Sequence, residues 1–214
     1  MQHLALLGDS ILDNRPYTSP EPDTTEHLRR TLGSSWTVEL LARDGSTMAD
    51  LPAQLDHVRS APDVALLSIG GNDAVDHIGL LDPQTKSNLQ ILAQLQEVAD
   101  AFGSRYRSTI AAVVPRVQRL IVCTIYEPPL LDPVSARLAR VPLSPLNDQI
   151  VRAASKSSVD VLALRAVCTA ESDFVKEIEP SPAGAKKIAS AIQRMLSDDG
   201  AVSHSRVFAI QSQL

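Results

Sequence analysis

The 214-residue chain has few aromatic residues, few cysteines and no long apolar run. Phe, Trp and Tyr together make up 3% of it, so a stacking platform for sugars or bases is not expected. Cys123 and Cys168 are too few for a disulfide framework, and both lie in apolar segments, which predicts buried thiols in a reducing compartment. No run is long enough to cross a bilayer, and no leader pattern precedes the core-like segment that begins at His3. We therefore expect no membrane association and a cytoplasmic location.

Positive charge is also in the minority. The 20 Lys and Arg residues against 25 Asp and Glu residues give a net charge of -5, which argues against a broad nucleic-acid-binding surface. Hydrophobic residues at 44% and charged residues at 21% are typical of a globular protein. This length predicts one domain, over residues 1–197. For the tail at 198–214 the sequence leaves open an extra strand, a partner contact or a frayed end.

Five short apolar runs alternate with helical patterns along the chain. Their continuous apolarity predicts strands that are covered on both faces. Such alternation is typical of a parallel sheet between two helix layers, an α/β fold. The predicted strands are 4–7, 38–42, 64–69, 120–125 and 161–165, and the predicted helices are 24–32, 47–58, 85–117 with a break near Gly103, 145–157, and 182 to about 199.

The residues that follow each predicted strand are the candidates for chemistry, because parallel α/β sheets bind ligands at the carboxyl ends of their strands. Ser10 in GDS offers a hydroxyl at a strand-to-helix turn, Gly45 in RDGST allows close approach to its N–H, and Asn72 in GGND offers an amide donor. Taken singly, each also fits an ordinary helix cap or loop residue. Together they supply a nucleophile and three donors for a tetrahedral oxyanion.

The GDS turn, the isolated glycine and the GGND turn occur in the order and spacing of the GDSL, or SGNH, hydrolase family, which this sequence resembles to about Leu196. The resemblance implies a flavodoxin-like, three-layer α/β/α sandwich with a five-stranded parallel sheet. It also implies ester or acyl hydrolysis without a cofactor. By position, it implies that Ser10 is the nucleophile and that the N–H groups of Ser10 and Gly45 and the side chain of Asn72 form the oxyanion hole.

The last family motif normally reads Asp, two residues, His and Pro, and here two of its members differ. Pro180 is present, but Glu179 occupies the His position and Lys176 the Asp position. Glu179 also fits a simpler interpretation, an acidic residue before a helix capped by Ser181. His3 begins a strand, whereas His27, His57 and His77 fall in predicted helices; His204 reaches the cleft only if the tail folds back.

We therefore expect Glu179 to accept the Ser10 proton. A carboxylate is a weak base at neutral pH unless burial or nearby negative charge raises its pKa. Asp13 and Asp173 are candidates for supporting residues around it.

The sequence leads to three functional hypotheses. The first is a serine esterase or acylhydrolase that acts on a small ester through an acyl-enzyme, with Ser10 and Glu179 as catalytic residues. The second is a catalytically impaired binding or scaffold protein that kept the pocket and lost the base. The third is hydrolysis assisted by a metal held by the acidic residues near the strand ends; the family resemblance instead assigns those acids to turns and helix ends, and no metal is expected.

Overall fold

The sheet at the centre of the protein has five parallel strands. The computed structural model describes residues 1–78, 87–128 and 133–197. The strands lie in the order β2-β1-β3-β4-β5, with the bounds β1 (Gln2–Gly8), β2 (Trp36–Leu40), β3 (Val64–Ser68), β4 (Arg119–Cys123) and β5 (Asp160–Leu162). All five correspond to the apolar runs of the sequence. The largest disagreement is at the end of β5, which was predicted to reach Arg165.

Helices cover both faces of the sheet. Leu7 and Leu67 pack in a hydrophobic cluster with helices on one face, whereas Leu6 and Leu66 belong to a second cluster on the other. Successive strand residues thus point to opposite faces, which explains the continuous apolar runs. The predicted three-layer α/β/α sandwich is confirmed. The helices are α1 (Arg15–Thr18), α2 (Thr24–Leu32), α3 (Leu51–Leu55), α4 (Gly71–Ile78), α5 (Asn88–Val113), α6 (Pro133–Lys156), α7 (Leu164–Val167) and α8 (Pro182–Leu196).

Three predicted helices differ from the structure. The one predicted at 47–58 is a 3-10 turn (Met48–Asp50) followed by the five-residue helix α3. Helix α5 continues through Gly103, where a break was predicted. A Cβ at this position would lie 2.2 Å from Oε1 of Gln149 in α6, so the glycine permits close packing of the two long helices rather than ending one of them. Helix α6 begins twelve residues before the predicted Pro145 and contains both Pro142 and Pro145.

The strand order places a crevice between β1 and β3. The connection from β1 to β2 carries α2 on one face, and the connection from β2 to β3 carries α3 on the other. Such a reversal of direction is where flavodoxin-like folds bind ligands. Ser10 follows β1 and Asn72 follows β3, so both are directed to this crevice.

A small antiparallel hairpin lies outside the sheet. It consists of β6 (Phe174–Val175) and β7 (Glu179–Pro180) and immediately precedes α8. The tail at 198–214, with His204, lies outside the described residues. Within the described ranges, no helix is long and apolar enough to cross a membrane.

Candidate active site

The Ser10 turn begins where β1 ends. The Asp9 N–H donates to the Ser68 carbonyl at 3.0 Å, and the Asp9 carbonyl accepts from the N–H groups of Leu12 and Asp13, both at 3.1 Å. These bonds leave the Ser10 N–H without a hydrogen-bond partner in the described part of the chain. Ser10 itself is 7% exposed. The turn therefore presents a nearly buried hydroxyl together with an unused amide proton.

The Gly45 turn provides a second unused amide proton. Gly45 has a φ of 77°, a left-handed conformation that glycine adopts without steric cost. The turn is closed by a bond from the Ser46 N–H to the Arg43 carbonyl at 3.1 Å. Asp13 braces it as well, since its Oδ2 accepts the Asp44 N–H at 2.9 Å. Among the residues that the structure describes, the Gly45 N–H has no partner.

Asn72, in the first turn of α4, is tied to the same loop. Its Nδ2 donates to the Ser46 carbonyl at 2.8 Å, which leaves the second hydrogen of Nδ2 for another acceptor. The neighbouring Asp73 is buried; its Oδ2 accepts the Met48 N–H at 3.0 Å and its Oδ1 pairs with Arg105. The start of α4 and the Gly45 loop are thus joined by two adjacent side chains.

Glu179 lies on β7, and the hairpin brings its carboxyl group to Ser10. The pKa of Glu179 is raised above its ordinary value, mainly by burial and also by the Asp44 charge. The hydrogen bond with the Ser10 hydroxyl and the Lys176 charge lower this pKa but do not cancel the rise. The Glu179 Oε2 atom is buried and has no hydrogen-bond partner in the described structure. The carboxyl group therefore combines contact with a hydroxyl and a pKa moved toward neutral pH, as a general base requires.

The hairpin is held from both sides. The Tyr126 hydroxyl donates to the Ile178 carbonyl, and the Tyr126 ring meets Phe174 edge to face, with centroids 5.0 Å apart. Ser181 donates its N–H to the Asp173 carbonyl at 2.9 Å, and its Oγ caps α8 by accepting the Gly184 N–H at 3.1 Å. Ser181 is thus the N-cap that the sequence predicted.

The two expected supporting acids have other partners. The Asp173 carboxylate accepts the N–H groups of Thr169 and Ala170, each at 3.0 Å, and pairs with Lys187 at 2.7 Å. It therefore anchors the hairpin to α8 instead of contacting Glu179. Asp13 acts on the Gly45 turn through the Asp44 N–H. Neither acid supports Glu179 directly.

Further polar and charged groups surround the site. Burial raises the pKa of Asp9, next to Ser10, to about 8. The Tyr17 hydroxyl donates to Asp44 Oδ2 at 2.7 Å, and Lys176 Nζ lies 4.9 Å from the Tyr17 ring centroid. This rim therefore connects the Gly45 turn to the hairpin. No sequence pattern predicts it, because Tyr17 and Lys176 are 159 positions apart.

The described histidines have contacts elsewhere. His3 Nε2 lies 3.0 Å from Glu39 Oε2, and His57 Nδ1 lies 2.7 Å from the Ala53 carbonyl. Burial and the nearby charges of Arg30 and Lys186 lower the pKa of His27. The side chain of His77 lies outside the described residues. In the described part of the chain, no three His, Cys, Asp or Glu side chains form a group suited to a metal ion.

Comparisons with known proteins agree with this fold. A model of the GDSL-like Lipase/Acylhydrolase family matches residues 6–187, whereas curated proteins gave no match. Similar solved structures include a lipase from a goat rumen metagenome, with 16% identity, a TM-score of 0.70, and 90% of this chain and 96% of that chain covered. An acetylxylan esterase from Geobacillus stearothermophilus has 19% identity and a TM-score of 0.65, with 95% of this chain and 97% of that chain covered. A phospholipase A1 from Streptomyces albidoflavus NA297 has 17% identity and a TM-score of 0.66, with 90% of this chain and 98% of that chain covered.

At these identities the solved structures show the shared fold, and the family model supplies the assignment. It spans both the Ser10 turn and the Glu179 hairpin. The chain belongs to the GDSL-like lipase and acylhydrolase family and is an ester hydrolase.

Proposed function

We propose that the protein hydrolyses small esters through an acyl-enzyme on Ser10, with Glu179 as the general base. The observation that carries the proposal is the contact between the Ser10 hydroxyl and a partly buried carboxyl group of raised pKa. The nearby N–H groups of Ser10 and Gly45 and the amide of Asn72 supply donors for an oxyanion.

The reaction runs in two halves. As the Ser10 Oγ attacks the ester carbonyl carbon, Glu179 takes its proton and the carbonyl oxygen becomes an oxyanion. Collapse of this intermediate expels the alcohol, which takes the proton from Glu179 and leaves an acyl-serine. Water then attacks the acyl-serine while Glu179 accepts a proton from it, and release of the acid returns that proton to Ser10 Oγ.

A fluorophosphonate probe and short p-nitrophenyl esters test the nucleophile. We expect stoichiometric labelling of Ser10, and neither labelling nor ester turnover above background in Ser10→Ala. A wild-type protein that is not labelled and does not turn over these esters would contradict the proposal.

The base is tested by Glu179→Gln, which keeps the shape of the side chain and removes its basicity. We expect kcat to fall by about 10²- to 10⁴-fold. In the wild-type protein, kcat/KM should decline as the pH falls through the raised pKa of Glu179, because only the carboxylate accepts a proton. Glu177→Gln, an exposed carboxylate in the same hairpin, is the control and should retain wild-type kcat. Equal kcat in the two variants would remove Glu179 from the mechanism.

A second candidate is a catalytically impaired member of the family that serves mainly as a binding or scaffold protein. It is favoured by the buried Glu179 Oε2, which has no donor to orient it in the described structure, whereas a triad base is held by a third residue. Glu179→His separates the two: it should raise turnover in an impaired protein but reduce turnover where the site is built around a carboxylate.

The identity of the ester and the cytoplasmic location stay predictions. A panel of acyl chain lengths and cell fractionation would test them.

A further inference from the structure

A buried glutamine connects the three elements of the candidate site. Gln54, in α3, is 2% exposed. Its Oε1 accepts the Gly8 N–H at 2.8 Å, its Nε2 donates to the Gly8 carbonyl at 2.8 Å, and the same Nε2 lies 3.2 Å from Ser46 Oγ. Every hydrogen-bonding atom of this carboxamide is therefore used within the protein.

The bonds to Gly8 lie just beyond the end of β2. Strand β2 ends at Leu40, while β1 continues to Gly8, which pairs with Ser68 on its other side. A carboxamide offers the donor and the acceptor of a peptide group. Gln54 therefore provides the acceptor for the Gly8 N–H, and it shares the Gly8 carbonyl with the Arg43 N–H, which donates to that carbonyl at 3.0 Å. Gly8 lies two residues before the nucleophile, so these bonds hold the entry to the Ser10 turn.

The bond to Ser46 extends the connection to the oxyanion donors. Ser46 follows Gly45, and its carbonyl accepts the Asn72 Nδ2. The Gln54 side chain thus contacts the Ser10 turn and the Gly45 loop directly, and it reaches Asn72 through the Ser46 residue. All three proposed oxyanion donors depend on elements that this one side chain joins.

We propose that Gln54 is a positioning residue that sets the spacing of the oxyanion donors relative to Ser10. This inference rests on the proposed function. A positioning role differs from a purely structural one because donor placement affects the transition state more than substrate binding. A donor that is displaced by a fraction of an ångström weakens oxyanion stabilisation while the substrate still binds.

The test uses Gln54→Met, which keeps the length of the side chain without its hydrogen bonds, and Ser46→Ala, which removes only the link to the Gly45 loop. We expect kcat to fall about 10- to 100-fold in Gln54→Met, part of the 10²- to 10³-fold cost of losing a donor outright, and less in Ser46→Ala. KM should stay within about threefold, and affinity for a trifluoromethyl ketone should fall in parallel with kcat. Gln96→Ala, on the exposed face of α5, is the control.

A readout without catalysis separates this inference from the proposed function. Amide hydrogen exchange of the peptide that covers 43–47 should be faster in Gln54→Met and Ser46→Ala than in Gln96→Ala. Absence of Ser10 labelling in the wild-type protein would overturn the proposed function alone. The role of Gln54 would be overturned if amide exchange at 43–47 is unchanged. It would also be overturned if Gln54→Met folds and keeps the wild-type kcat and inhibitor affinity. If Gln54→Met does not fold, the exchange and kcat of Ser46→Ala decide in the same way.

Discussion

The proposed oxyanion side and the proposed base side of the candidate site are built differently. Ser10, Gly45 and Asn72 follow the strands of the central sheet, and hydrogen bonds join their loops to one another. Glu179 lies on a hairpin of two-residue strands outside that sheet.

The turn of this hairpin is strained, since Lys176 and Glu177 have φ values of 46° and 71° that non-glycine residues adopt at a cost of about 1–2 kcal/mol each. The family motifs are present at the ends of the sheet strands, whereas on the hairpin Glu179 and Lys176 replace the usual His and Asp. The comparison teaches that a residue on a peripheral hairpin can be exchanged without disturbing the sheet that holds the other groups.

Removal of a proposed oxyanion donor should give the largest effect among the tests of this comparison. In Asn72→Ala we expect kcat to fall about 10²- to 10³-fold, equal to about 2.7–4 kcal/mol, with a much smaller change in KM, because the amide acts mainly on the transition state. Steady-state kinetics measure this. Asn88→Ala, at the exposed start of α5, should behave as the wild-type protein. A loss confined to KM would mean that Asn72 binds substrate rather than the oxyanion.

The anchor of the hairpin should give the second largest effect. In Lys187→Met, the buried Asp173 loses its cation but keeps two backbone donors, so we expect the free energy of unfolding at pH 7 to fall by about 1–3 kcal/mol. Urea denaturation measures this. Lys186→Met, one position away and exposed, is the control. Equal stability of the two variants would show that the ion pair is not an anchor.

The same anchor predicts a pH dependence of stability. Burial raises the pKa of Asp173, but the bonds from Lys187, Ala170 and Thr169 outweigh it and hold the pKa below the ordinary value of 3.8. This stabilisation is present above the unfolded pKa and is lost as the pH falls through the lower, folded value. Asp173→Asn should therefore lack that part of the acid dependence.

The charges on the rim should give the smallest effect. Asp44 raises the pKa of Glu179 and Lys176 lowers it, so Asp44→Asn should extend activity to lower pH and Lys176→Gln should restrict it to higher pH. At one pH on the acidic limb we expect changes of about two- to fivefold, as for exposed charge pairs worth 0.2–1 kcal/mol. Profiles of kcat/KM against pH check both. If the pH profiles of both variants shift in the same direction, the result would contradict Glu179 as the general base.

Regular segments and their order were predictable from the sequence, but their packing was not. The apolar runs LALL and VALLSI became β1 and β3, because burial on both faces of a parallel sheet requires continuous apolarity. The break predicted at Gly103 was wrong, because its effect depends on Gln149 in another helix. Gln54 looked like any polar residue of a helical pattern, and its proposed role depends on bonds to Gly8 and Ser46, which lie 46 and 8 positions earlier in the chain.

The sequence by itself determined the parallel sheet, the family and the positions of Ser10, Gly45 and Asn72 at the ends of strands. These follow from local hydrophobic periodicity and from short motifs of adjacent residues. Only the tertiary structure decided that Glu179 reaches Ser10, that Asp173 pairs with Lys187 instead, and that Gln54 joins the loops. Such contacts connect residues far apart in the chain, and only the packing of the folded chain brings their side chains within hydrogen-bonding distance.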